Sequence, residues 1–162
     1  LRSVPCEDDV ELGPLSEEVL TDLAPLAEKR GIALNCAGDA LVIGSDTLLY
    51  RLVFNLVENA IRYSRSGSTV NVSICDSNSH VFLRVKDEGP GIPKQYRESI
   101  FQPFFRLDKS RSRAYGGAGL GLALVWEIAA LHGGTVGVEA SSENGTTMLA
   151  SLPKRSAALT EQ

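Results

Sequence analysis

Asn55 and Asn59 stand at i and i+4, so on a helix they share a face. A neutral carboxamide oxygen is a hard donor. It can hold Mg²⁺ while water and phosphate oxygens fill the other positions. Arg62 follows three residues after Asn59, placed as a cation for phosphate, and Tyr63 offers a ring to a purine. Further on, Asp87-Glu-Gly89-Pro-Gly91-Ile92 sets a carboxylate before two glycines. The glycines permit a tight turn and close backbone approach to a flat ligand. The carboxylate can accept a hydrogen bond from the exocyclic amine of adenine. Guanine presents a carbonyl oxygen at the corresponding carbon, so adenine is favoured. Gly116-Gly117-Ala-Gly119-Leu120-Gly121-Leu122 opens a helix, where free N–H groups and the helix dipole make an anion site. Arg106 adjoins the pair Phe104-Phe105, and Thr146 adds a hydroxyl in a Gly-Thr-Thr turn. Together these residues can hold a nucleotide and its metal.

Other nucleotide motifs do not fit. A dinucleotide fingerprint needs a strand before GxGxxG; here Arg111-Ser-Arg113-Ala-Tyr115 precedes, and Gly117, Gly119 and Gly121 run GxGxG. No GK[ST] loop, His-Arg-Asp loop or Asp-Phe-Gly segment occurs. Neither His80 nor His132 is flanked as a nucleophile requires, and both read as structural or exposed.

The elements that must position these groups can be read from periodicity. The pattern predicts a first helix over 16–30, with Glu17 and Glu18 at its start and Pro25 against it. Ile32–Leu34 and Leu41–Ile43 are short strand candidates. Ser45 or Asp46 caps a second helix over 46–63, with Leu48, Leu49, Leu52, Val53, Leu56, Val57 and Ala60 as its apolar stripe. Val70, Val72 and Ile74, then Val81, Leu83 and Val85, alternate as two strands around a turn at 76–79, the second running into Asp87. A short helix is expected at Pro93, a basic phosphate-covering loop over 106–116 and a helix from Leu120 to His132. Two strands close the chain around Val136–Val138 and Met148–Leu152. The order suggests helices layered on one face of a mixed sheet. Residues 1–14 read as a linker from an upstream domain, 15–153 as the functional domain, and 154–162 as a frayed tail.

The 162 residues suffice for one domain, and 43% are apolar. The net charge of −4 argues against nucleic acid. Cys6, Cys36 and Cys75 are scattered, which reads as reduced thiols.

In this order and spacing, the segments Asn55–Asn59, Asp87–Gly91, Phe101–Phe105 and Gly117–Gly121 resemble the N, first G, F and second G boxes of the catalytic ATP-binding domain of bacterial sensor histidine kinases. The resemblance covers about residues 12–153. It implies a two-layer α/β (α+β) sandwich, the Bergerat fold, binding ATP and Mg²⁺. It further implies Asn59 as the metal ligand, Asp87 as the adenine reader, and Tyr63 packing on the base. Asn55, Gly89, Gly91, Ile92 and Thr146 belong to the site, Arg62 and Arg106 contact phosphate, and Gly117 and Gly119 to Leu122 line the phosphate channel. Water-using ATPases of the superfamily carry a glutamate where this chain has Asn55. An amide cannot take a proton from water at neutral pH, so transfer to a better nucleophile is favoured over hydrolysis. The phosphoacceptor histidine of the family lies in a helical dimerisation domain that nothing in this chain resembles, so no catalytic residue beyond the ATP site is expected. The implied partners are that helical domain and the receiver domain of a response regulator. The implied setting is a cytoplasmic, monomeric fragment of a homodimer anchored in the inner membrane. A nucleotide-dependent regulator that sequesters a partner, like anti-sigma factors of the superfamily, is the alternative.

Overall fold

A computed structural model of the chain describes residues 7–105 and 121–154. Its elements, in chain order, are β1 (Asp8–Glu11), α1 (Leu12–Arg30), β2 (Ala33–Ala37), β3 (Leu41–Gly44), α2 (Asp46–Tyr63), β4 (Thr69–Asp76), β5 (His80–Asp87), α3 (Gly121–Leu131), β6 (Thr135–Ser142) and β7 (Gly145–Pro153). Two single 3₁₀ turns, Lys94–Tyr96 and Ser99–Phe101, lie between β5 and α3. The main sheet has five strands in the order β2-β4-β5-β7-β6. β2 and β4 run parallel and every other neighbouring pair is antiparallel. β1 and β3 form a separate antiparallel ribbon.

Alternation decides which face is covered. Val70, Val72 and Ile74 of β4, Val81, Leu83 and Val85 of β5, and Met148, Ala150 and Leu152 of β7 are all buried. Their neighbours Asn71, Ser73, Phe82, Arg84 and Leu149 are only half-buried. The helices pack on the first set, giving the two layers expected. α2 turns Leu49, Leu52, Val53, Leu56, Val57, Ala60 and Ile61 inward, and each fully buried leucine of that stripe stabilises the fold by roughly 1.5–3 kcal/mol.

Four expectations change. The first helix begins at Leu12 rather than 16, and no acid lies in its first turn. Its cap comes from far along the chain: Asp39 Oδ1 accepts from the Gly13 N–H at 2.7 Å and from the Ala40 N–H at 2.8 Å. The boundary drawn at 14 therefore falls inside α1, and 8–11 pair with β3 instead of running irregularly. Pro25 sits within α1 without ending it, because the buried face of Leu15, Val19, Leu23 and Ala27 outweighs one missing hydrogen bond. At the other end, Lys154 is tied to the β4–β5 turn, its N–H on Ser79 O and its ammonium 2.7 Å from Asp76, so fraying does not begin there. The short helix at Pro93 is a 3₁₀ turn starting at Lys94.

His132 is neither exposed nor a bystander. It is 6% exposed. Its Nε2 accepts from the Ser45 N–H at 3.1 Å, so the proton sits on Nδ1, which donates to Ile128 O at 2.8 Å. Burial pushes the imidazole below the usual histidine range, outweighing the Ile128 carbonyl. A lowered pKa in the folded state means the unfolded chain takes up the proton first. The stabilisation is whole above about 6.5, the unfolded value, and is lost as pH falls below it. Urea unfolding between about pH 8 and pH 5 should show the native protein losing stability relative to His132→Gln, which stays neutral. A difference independent of pH would rule the ring out as the cause.

Candidate functional site

The strand register brings the acid and the late threonine together. Asp87, the last residue of β5, pairs directly with Thr146 near the start of β7. Asp87 Oδ1 accepts from the Gly89 N–H at 2.9 Å and the Thr146 N–H at 3.1 Å. Among the described residues Oδ2 has no such partner. The carboxyl group is 6% exposed, and burial raises its pKa against the lowering effect of those two donors. One oxygen is thus held by the protein and the other left to meet a donor, with few waters to compete.

The glycines of the turn serve the protein's own packing. A Cβ on Gly89 would stand 2.4 Å from Tyr63 O, and one on Gly91, at φ +87, would stand 2.2 Å from Ser142 O. These close approaches draw the turn against the end of α2 and the end of β6. Hydrogen bonds complete the attachment: the Glu88 N–H to Ser64 Oγ at 3.2 Å, the Arg65 N–H to Glu88 O at 3.3 Å and the Ile92 N–H to Ser141 Oγ at 2.8 Å. The helix carrying the asparagines and the turn carrying the acid are therefore one assembly.

On α2, Asn55 is buried and Asn59 half-buried. Among the described residues neither carboxamide has a hydrogen-bond partner. Their polar atoms are not among the buried unsatisfied groups of the described residues, so they stay open to solvent and to a ligand without being consumed by the protein. They fit Mg²⁺, whose reluctance to dehydrate leaves most of its positions to water and phosphate rather than to a protein cage; no cluster of three or more His, Cys, Asp or Glu that could hold a metal occurs among the described residues. Arg62 lies 3.4 Å from Glu58, one turn back on α2. The pair is part-exposed and weak enough to exchange for a phosphate. Tyr63 is half-buried at the end of the same helix.

Of the second glycine segment, Gly121 and Leu122 open α3, exposed and half-buried. Arg106, Gly117, Gly119, Leu120 and the expected basic loop lie outside the described residues. Phe104 is 69% exposed, with φ 66. The anchors are Phe101, buried with its ring on Trp126, and Phe105, against Tyr96.

Sequence reasoning missed Ser141 and Arg97. Ser141 Oγ lies 2.8 Å from Thr146 Oγ1 while accepting from Ile92; Arg97 donates to Ile92 O and Ser141 O. The signal for Ser141 was the turn Ser142-Glu-Asn-Gly145, whose pairing puts Ser141 opposite Thr146. Nothing in the pattern marks Arg97.

Comparison with known proteins places the chain in a family. Residues 44–156 match the family described as histidine kinase-, DNA gyrase B-, and HSP90-like ATPase. Sensor-like histidine kinase SenX3 of Mycobacterium tuberculosis is 38% identical over 152 residues, which is 93% of this chain and 37% of that protein. The chain thus spans under two fifths of this relative's length. Among solved structures, the mycobacterial sensor histidine kinase MprB superposes with a TM-score of 0.78 at 30% identity, over 93% of this chain and 99% of that one. Full-length ShkA in complex with AMPPNP gives 0.82 at 26%, over 96% and 32%. ThkA in complex with the response regulator protein TrrA gives 0.74 at 27%, over 91% and 42%. The chain belongs to the histidine kinase-, DNA gyrase B- and HSP90-like ATPase family, as the catalytic ATP-binding domain of a sensor histidine kinase.

Proposed function

We propose that this domain holds ATP with Mg²⁺ and presents the γ-phosphoryl group to a histidine on a separate helical dimerisation domain, from which it passes to an aspartate of a response regulator. The observation that carries this reading is the pairing of a half-satisfied buried carboxylate with two unpartnered carboxamides on the helix bound to its turn. Oδ2 of Asp87 accepts from the adenine amine. Tyr63 packs on the base, and Ile92, Gly89, Gly91 and Thr146 shape the adenine end. Asn59, with Asn55 beside it, faces the phosphates; Arg62 leaves Glu58 for a phosphate oxygen; Arg106 and the segment from Gly117 to Leu122 add cation and N–H donors. Mg²⁺, when bound, neutralises phosphate charge and fixes its orientation.

The chain's own groups favour transfer over hydrolysis. Asn55 cannot deprotonate water at neutral pH, and Glu58, one residue step around α2 from Asn59, is not placed as its base. Positioning and charge neutralisation then supply most of the rate. The sequestering alternative receives no support from the relatives, which are sensor kinases. That ShkA was solved with AMPPNP, and ThkA with TrrA, supports ATP and a response regulator as ligand and partner here. Among the described residues no helix is long and apolar enough to cross a membrane; we place the domain in the cytoplasm, as a monomer when separate from a homodimeric parent anchored in the inner membrane.

Asp87→Asn keeps an acceptor for Gly89 and Thr146 but sets an amide N–H₂ against the adenine amine. ATP affinity should weaken by about 1–3 kcal/mol. Stability should not follow. A carboxyl group whose pKa is raised by burial stabilises the fold while protonated and loses that contribution as pH rises through its folded pKa. The neutral amide avoids this loss, so the unfolding midpoint of the variant at neutral pH should equal or exceed the native one. A midpoint that drops together with affinity would make Asp87 a structural residue. Asn59→Ala should remove the Mg²⁺-dependent increment of ATP affinity, compared by calorimetry with and without EDTA, at unchanged fold; an undiminished increment refutes the metal role. Mixed with the parent's helical domain and γ-labelled ATP, the domain should label that histidine, and absence of label overturns the kinase reading.

A further inference from the structure

The adenine and phosphate ends of this site depend on different parts of the fold. The adenine end is built from the β5 terminus, its turn and β7, joined by the hydrogen bonds of Asp87 and Ser141. The phosphate end lies between the second half of α2, with Asn55 and Asn59, and the start of α3 at Gly121. No strand pairing fixes α3 to α2. They pack on each other through Val125, Ile128 and Ala129 and the α2 stripe. What ties them by hydrogen bonding is the ring of His132. It joins the N–H of Ser45, at the start of α2, to the carbonyl of Ile128, in the last turn of α3.

The start of α2 is bound to the end of α3, and the two helices pack on each other. Gly121, at the opposite end of α3 from the tie, is the end we take to face the Asn59 half of α2. The junction is shaped for the ring. A Cβ on Gly44 would stand 2.4 Å from Cδ2 and 2.5 Å from Nε2 of His132, so only glycine before Ser45 lets the imidazole reach the backbone. Ser45 completes the junction by capping α2 with its own hydroxyl, which accepts from the Leu48 N–H at 3.2 Å. α3 has 11 residues, about 16 Å at ~1.5 Å per residue. A tilt of only about 4° about the tie therefore displaces its first residues by about 1 Å, enough to misplace phosphate donors.

We propose that His132 is a positioning residue for the phosphate end of the site, acting through α3. It touches no ligand. As a neutral imidazole with its proton on Nδ1, it holds α3 at the angle at which the first N–H groups of α3 and the Asn59 carboxamide face the same phosphates. The inference rests on the nucleotide reading above and adds that affinity for the triphosphate, but not for the nucleoside, depends on this distant ring.

The test compares ATP with adenosine on the whole chain, in Mg²⁺, with binding read from the amide NMR shifts of Gly89 and Thr146. His132→Phe fills the space without an acceptor for Ser45. It should weaken ATP by about fivefold or more, with adenosine unchanged within twofold. His132→Gln keeps an acceptor for the Ser45 N–H and should restore ATP affinity to within twofold of native. If His132→Phe does not fold, Gly44→Ala displaces the ring without removing it and should give the same selective loss. A variant that binds ATP and adenosine in the native ratio, or loses both equally, overturns the positioning role and leaves a merely structural histidine. A native chain that binds neither ligand overturns the nucleotide reading instead.

Discussion

A carboxylate buried at the end of a central strand is expensive unless something uses it. Asp87 carries that constraint here. Its Oδ1 is satisfied by the Gly89 and Thr146 N–H groups, and burial still raises its pKa. The fold around it is arranged so that this group can exist. β7 must lie beside β5 in a register that puts Thr146 opposite Asp87, and the next turn must fold back sharply enough to return the Gly89 N–H to the same oxygen. Gly145, at φ +151, has no room for a Cβ, which would stand 2.1 Å from Asp87 O. Shifting β7 by one residue would turn its buried Met148, Ala150 and Leu152 outward, so the apolar face of the strand also fixes the acid's hydrogen bonds.

The parts legible in the sequence were those set by local pattern. α2 was read over 46–63 and is found there, because Ser45 caps it through the Leu48 N–H and its stripe has a clean helical period. The alternating strands of 69–87 were equally plain, and so was their run into Asp87. The parts that were missed are set by residues distant in sequence. α1 starts early because Asp39, in the short connection between β2 and β3, caps it from far along the sequence. β1 exists because β3 offers it an edge. Neither cause leaves a mark in the local composition of 7–15. The same holds within the site. The residue types at 55, 59 and 87 could be singled out from the sequence as candidates, whereas Ser141 and Arg97 reach Ile92 only because the hairpin and the 3₁₀ turns bring them there. Gly89 and Gly91 were read as making room for a ligand, yet the atoms they make room for belong to Tyr63 and Ser142.

That last difference bears on how the site is made rigid. A glycine turn free in solvent would be a poor platform for a base, because ordering it on binding would cost conformational entropy. Here the turn is already ordered by Ser64 and Arg65 at the end of α2 and by Ser141 of β6. On the proposed reading the adenine end is therefore preorganised, and little of the binding energy is spent on arranging it.

The phosphate end is organised differently, and the difference suits its task. Arg62 is held by a single part-exposed contact to Glu58, and the two asparagines have no partner among the described residues. These groups are oriented by α2 but not consumed by the protein. A site that must release one phosphoryl group to an outside nucleophile gains from donors that change partners as charge moves, because bonds that favour the ground state equally lower no barrier. On the proposed reading the domain combines a fixed grip on the part of the ligand that does not react with exchangeable contacts on the part that does.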